Sequence, residues 1–272
     1  MLRVAILSDL HLDRHDLNLR ETDVNPDVVV LAGDISSSPN GVDWAAQTWR
    51  HARVLLVPGN NEYYNAVFQE RQRELQSKAR LYSNVEILSR EAVEIDDVQF
   101  IGATLWTDLQ LNGGDVSFLN NQPVKAYAGS TLWKDCISEC FDITPSSFGN
   151  LARRPRRFTL EDSARLFKED KTFIESKLTG SSAARKKVVV THHLPSEKSI
   201  HPQYESSPHN ALFASHLDAL VAMSDVWIHG HAHHNCRYFI GKSEVICNPR
   251  GNPADGGGVE NNDFDKHFFI EI

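Results

Sequence analysis

Seven residues of this sequence stand out by type and place: Asp9, His11, Asp34, Asn60, His192, His231 and His233. Each closely follows a short run rich in Val, Ile and Leu, at residues 2–8, 27–32, 53–57, 187–191 and 225–229. Carboxylate, amide oxygen and imidazole are donors that divalent ions of intermediate hardness take together. Taken singly, an Asp at such a place is usually a turn or helix cap, and a lone buried His is usually hydrogen-bonded. Five successive apolar runs that each end in a possible ligand are not explained that way. The chain also carries 13 histidines, gathered near Gly and Asp rather than spread evenly, so metal binding is the first expectation.

Residues so far apart can meet only if the elements between them bring strand ends to one edge. Short, uniformly apolar runs suit strands covered on both faces, and stretches with helical character lie between them at 41–51, 64–80, 159–178 and 209–223. Thr159 with Asp162 three positions on marks a helix start. Residues 91–95 with 98–102, and 236–240 with 243–247, read as hairpins. The alternation predicts right-handed crossovers and a site beyond the carboxyl ends of the strands. Because hairpins mix with crossovers, the expected fold class is α/β, a layered α/β/β/α sandwich of two mixed sheets flanked by helices. One domain is expected over 1–272, with an irregular excursion at about 108–158. That excursion holds Arg153, Arg154, Arg156 and Arg157, either an anion-binding rim or a solvated charge run. Trp106 and Trp133 could stack on a base or pack in the core.

A formal net charge of −8 argues against tracking a nucleic-acid backbone, so duplex nucleic acid is an unexpected partner. No stretch of about 18 apolar residues could span a bilayer, and residues 2–8 run too soon into Asp9 and His11 for an export signal. Cys136, Cys140, Cys236 and Cys247 show neither disulfide-scaffold nor zinc-ribbon spacing. Reduced thiols and a cytoplasmic location, with no membrane partner, are expected.

In order, SDLH, AGD, PGNNE, THH and GHAH resemble the calcineurin-like metallophosphoesterase superfamily, whose signature runs D-x-H, G-D, G-N-H-[DE], H and G-H-x-H. The resemblance extends from residue 4 to about residue 250. It implies two divalent or trivalent ions, Mn²⁺ foremost, with Fe, Zn²⁺ or Ni²⁺ chemically acceptable. Asp9, His11, Asp34 and His233 would hold one, and Asp34, Asn60, His192 and His231 the other, with Asp34 bridging. A hydroxide between the ions would attack a phosphoester, a small phosphodiester or phosphomonoester, nucleotides among them. His193 would face the substrate or stand behind the ligands, while His229 and His234 read as hydrogen-bonded or solvated.

The third motif departs from this pattern. Asn61 stands where most members carry the His assigned as proton donor, and an amide cannot deliver a proton at neutral pH; losing a general acid typically costs about 10²–10⁴ in rate. Three explanations stay open: His193, His234 or metal-bound water supplies the proton, the leaving group needs none, or the fold binds without turnover. Catalytic roles are thus expected at Asp34, Asn61 and His193. Glu62 would orient Asn61 or a water, or be a solvated carboxylate. Substrate contacts are expected from Asn60, Asn61 and Arg250, the last within an Asn-Pro-Arg-Gly loop that many bacterial members share. Arg250 could pair with a phosphate oxygen or close the loop on backbone carbonyls. Two further functions remain: a nuclease acting on single strands, and a metal-loaded, non-catalytic interaction scaffold.

Overall fold

The computed structural model describes residues 1–114, 141–145, 151–155, 158–254 and 257–272. Strands β1 (Arg3–Leu7), β2 (Val28–Leu31), β3 (Arg53–Leu56) and β4 (Val85–Ile87) run parallel, and β13 (Phe269–Glu271) pairs antiparallel with β1. The sheet order is β13-β1-β2-β3-β4. The second sheet joins β5 (Glu91–Ile95), β6 (Val98–Gly102), β9 (Lys186–Val190), β10 (Val226–His229), β11 (Cys236–Ile240) and β12 (Ser243–Cys247) in the order β11-β12-β10-β9-β6-β5. Its outer strands pair antiparallel and its inner four parallel, so both sheets are mixed. A separate hairpin joins β7 (Phe141–Pro145) and β8 (Leu151–Pro155).

The strand alternation explains why the apolar runs are unbroken. Val4 and Ile6 of β1 point to the second sheet, packing with Phe100, Val188, Val190 and Ile228, whereas Ala5 and Leu7 point outward. The outward face meets Val42, Ala45 and Trp49 of α1 (Asn40–Thr48) and its flank, and Leu75 and Ala79 of α2 (Phe68–Ala79). On the far side, Ile101, Val189, Trp227 and Val245 pack against Leu166, Phe167, Ile174 and Leu178 of α3 (Leu160–Thr179). These are the four expected layers. The Thr159 hydroxyl accepts from the Asp162 amide while the Asp162 carboxylate accepts from the Thr159 amide, so the predicted helix start is a reciprocal cap.

The stretch 209–223 is not one helix. It forms a 3-10 turn at Pro208–Leu212 and a short helix α4 (Asp218–Val221). Between them the backbone pairs with the loop after β9: Leu194 N–H donates to Phe213 and Ser215 N–H to Leu194. That pairing outweighs the helical preference of the sequence. Trp106 is buried among Tyr63, Phe68 and Phe158, which assigns it to the core rather than to a base. Trp133, Cys136, Cys140, Arg156 and Arg157 lie outside the described residues, and Arg153 and Arg154 are described only as part of β8. Among the described residues, Cys236 and Cys247 are free thiols, and no helix is long and apolar enough to cross a membrane.

Candidate metal centre

The turns that leave β1, β2, β3, β9 and β10 gather at one edge of the sandwich. Asp9 N–H donates to Gly33, His11 N–H to Asp34 and Gly230 N–H to His192, so backbone bonds tie the loops to one another. Five expected ligands, Asp9, His11, Asp34, His231 and His233, have φ between 45° and 66°. This left-handed region is unfavourable for residues with a Cβ and recurs at functional sites. The motif glycines answer to crowding: a Cβ at Gly59 would overlap Asp34 Oδ1, and one at Gly33 (φ 89°) would overlap His192 Nδ1.

All seven expected ligands come together. Asp9, Asp34, His192 and His231 form one group of converging donor atoms, and Asp9, His11 and His233 a second. Asp9 is common to both groups, and Asp34, expected to bridge, stands in the first, where its carboxylate also accepts the backbone and side-chain N–H groups of Asn61. Asn60 brings its Oδ1 to 3.0 Å from His192 Nε2, while its Nδ2 donates to the Tyr64 hydroxyl at 2.8 Å.

The imidazoles present the nitrogens that a metal requires. His192 Nδ1 donates to the Ala32 carbonyl at 2.9 Å, which leaves Nε2 directed at Asp34 Oδ1, 3.3 Å away. His233 Nδ1 meets Glu260 at 2.8 Å, and its Nε2 lies 3.3 Å from Asp9 Oδ1 and 3.4 Å from His11 Nε2. Nitrogens held this way from behind are typical of metal-binding histidines. His231 Nε2 is buried without any hydrogen-bond partner. Two buried carboxylates, an amide oxygen and the imidazole nitrogens of His192, His231 and His233 gathered with them fit divalent ions.

The electrostatics agree. Burial would raise the Asp9 carboxyl, yet the hydrogen bond and charge of His233 hold it well below the usual range. Burial would lower His233, but hydrogen bonds and charge from Asp9 and Glu260 push it up to about 10. Burial raises Asp34, and burial together with His193 and His192 keeps His231 well below its ordinary value, as the neutral imidazole a metal needs.

Glu62 is neither solvated nor turned toward Asn61. Its carboxylate is buried and accepts from the amides of Asp34 (2.9 Å), Ile35 (2.7 Å), Gly59 (2.7 Å) and Ser36 (3.4 Å), lashing two ligand-bearing loops together. Arg250 closes its loop: its guanidinium donates to the carbonyls of Leu10, His15 and Asp16, the role expected as the alternative to a phosphate contact. His193 is buried, with Nδ1 3.4 Å from the Thr104 carbonyl, Nε2 unpartnered, and its ring 4.5 Å from that of His231. His229 lies between the Gly230 carbonyl and the Ser199 hydroxyl, and His234 meets the Ala232 carbonyl, as hydrogen-bonded histidines. Arg14 was not anticipated; its guanidinium reaches Asn61 Oδ1 at 3.1 Å and also bonds Asn252 Oδ1. No motif marks it, since its partners lie 47 and 238 positions away.

The chain is 22% identical over 233 residues to the uncharacterized protein L509 of Acanthamoeba polyphaga mimivirus, covering 81% of this chain and 74% of that one. Its fold is similar to that of the phosphopantetheinyl hydrolase PptH from Mycobacterium tuberculosis, with a TM-score of 0.62 and 14% identity over 92% of this chain and 89% of that one. The profile of the calcineurin-like phosphoesterases matches residues 2–235, where all seven converging donors lie. The chain therefore belongs to the calcineurin-like phosphoesterase family, whose chemistry is metal-dependent phosphoester hydrolysis.

Proposed function

We propose that this protein hydrolyses small phosphodiesters or phosphomonoesters, nucleotides among them, at a two-ion centre held by Asp9, His11, Asp34, Asn60, His192, His231 and His233. The observation that carries the reading is the convergence of donors from five strand ends around two buried carboxylates, with the Nε2 of His231 buried and unpartnered beside them. When bound, a pair of divalent ions, Mn²⁺ foremost, would withdraw charge from phosphoryl oxygens and activate water for in-line attack. The protein's part is to hold the donors in place beforehand. Glu62 fixes the loops of Asp34 and Gly59, Glu260 fixes the His233 ring, and Ala32 fixes the His192 ring. Asn61 holds the Asp34 carboxylate and brings no titratable proton. A leaving group that departs as a stable anion therefore suits the site best.

The test uses protein stripped of metal and reloaded with Mn²⁺, given a nitrophenyl phosphodiester and an alkyl phosphodiester in parallel. Hydrolysis of the nitrophenyl ester, lost in Asp34→Asn and in chelated protein, is the expected outcome. If protein shown to hold two ions cleaves neither ester, the proposal fails, and the scaffold becomes the better account.

A further inference from the structure

Arg14 follows His11 by three positions, and its amide donates to the His11 carbonyl, so the turn that presents His11 also fixes the start of Arg14. The side chain is exposed, and its two terminal nitrogens are held by different loops. One bonds Asn61 Oδ1 at 3.1 Å, and Asn61 in turn binds the Asp34 carboxylate. The other bonds Asn252 Oδ1, and the Asn252 amide lies 3.2 Å from Glu260 Oε2 and 3.5 Å from His233 Nδ1. The guanidinium thus bridges the Asp34 side of the centre to the His233 side.

Both partners of Arg14 are neutral amide oxygens, and among the described residues no carboxylate pairs with it. Arg71 and Arg250, by contrast, direct guanidinium N–H groups at backbone carbonyls. A guanidinium has five donors, is always charged, and matches a phosphate fork bidentately. It cannot protonate a leaving oxygen, but it can neutralise one.

We infer that Arg14, steadied by Asn61 and Asn252, is an anion subsite of the centre that takes the second phosphate of a phosphoanhydride substrate, a nucleoside diphosphate or its conjugate. This deepens the phosphoesterase reading and rests on it. In the reaction, the oxygen of water forms the new bond to the attacked phosphorus as the bridging P–O bond breaks. The bonding electron pair leaves with the second phosphate, beside Arg14, and the protons of water end on product phosphate and in solvent. No general acid is required, which is consistent with an amide at Asn61.

Titration calorimetry on the Mn²⁺-loaded full chain tests this without turnover, with inorganic phosphate and non-hydrolysable methylenediphosphonate as probes. Arg14→Gln is expected to weaken diphosphonate binding about tenfold and phosphate binding less than about twofold, with Arg14→Lys in between. For turnover, kcat/KM of Arg14→Gln should fall more on a nucleoside diphosphate than on the nitrophenyl ester, with partial rescue by added guanidinium. If the variant binds both probes as the wild type does, or loses both equally, the Arg14 subsite is overturned while the phosphoesterase reading stands. If loaded wild-type protein binds neither probe, the Arg14 subsite is overturned as well, and the ester assay above decides the phosphoesterase reading by itself.

Discussion

Replacing Glu62 by Gln changes one atom and should loosen the metal centre from behind. Oε1 accepts from Ile35 and Ser36, and Oε2 from Asp34 and Gly59. A glutamine amide keeps one oxygen, so whichever way it turns, its NH₂ faces two backbone N–H groups that lose their acceptor. Hydrogen bonds to a charged group contribute about 1.5–3 kcal/mol each, so two losses total about 3–6 kcal/mol. Burial and the nearby Asp34 push the Glu62 carboxyl up to about 7, so removing its costly buried charge offsets much of this, leaving about 2 kcal/mol of net destabilisation. The amides concerned belong either to Asp34 itself and Gly59, which precedes Asn60, or to Ile35 and Ser36, which directly follow Asp34. Mn²⁺ affinity should therefore fall in protein that is still folded. Urea denaturation of the metal-free protein gives the first quantity, and Mn²⁺ titration at low denaturant the second. A Glu62→Gln protein within about 0.5 kcal/mol of wild type that binds Mn²⁺ equally well would refute the reasoning.

Gly59→Ala places a methyl against Asp34 Oδ1 and 2.7 Å from His192 Cε1, so Mn²⁺ affinity should drop at least about tenfold while circular dichroism still reports the folded sandwich. His11 has φ 45°, so with metal absent His11→Gly should be about 1 kcal/mol more stable than His11→Ala in urea, the reverse order contradicting the strain argument. Burial pushes the Asp170 carboxyl up to about 6 despite the pull of Arg90, so the folded protein binds this proton more tightly than the unfolded chain. That contribution to stability is complete below the ordinary carboxylate range and is lost as pH rises through about 6; Asp170→Asn should gain on wild type by up to about 3 kcal/mol between pH 4 and 7, and a constant difference would contradict it.

Strands sandwiched between other layers are apolar on both faces, which is why β1, β2, β3, β9 and β10 could be read from unbroken Val, Ile and Leu runs. Their ends then led to all seven donors. The supporting residues were harder to read because their work is done across sequence. Glu62 binds amides 26 to 28 positions away as well as that of Gly59, and Arg250 binds carbonyls 234 to 240 positions away. No local pattern specifies such partners. The segment 209–223 failed for a similar reason: its local character is helical, but the Leu194 loop offers backbone pairing that a helix would forgo. Strand β13 is three residues long and is fixed by its partner β1 rather than by a run of its own.

The backbone at the centre explains why so much structure surrounds so few donors. Asp9, His11, Asp34, His231 and His233 all adopt positive φ, whereas Asn60, at φ −75°, does not. Left alone, each strained residue would relax at a gain of order 1–3 kcal/mol, and the donors would point elsewhere. What opposes relaxation is the surrounding bonding: β1 is seated in a fully buried core, Gly251 N–H and His231 N–H both bind Asp9, and Glu62 holds the amides beside Asp34. The glycines of the motifs follow from the same demand, because loops drawn this close leave no room for a Cβ. Donors fixed before an ion arrives need little ordering when it binds, and a centre held by backbone bonds can tolerate a changed residue at its edge. Asn61 sits at that edge: its N–H groups bind the Asp34 carboxylate and its side-chain oxygen accepts from Arg14, so under the proposal above a departing anion would meet a guanidinium tied to the centre through this amide.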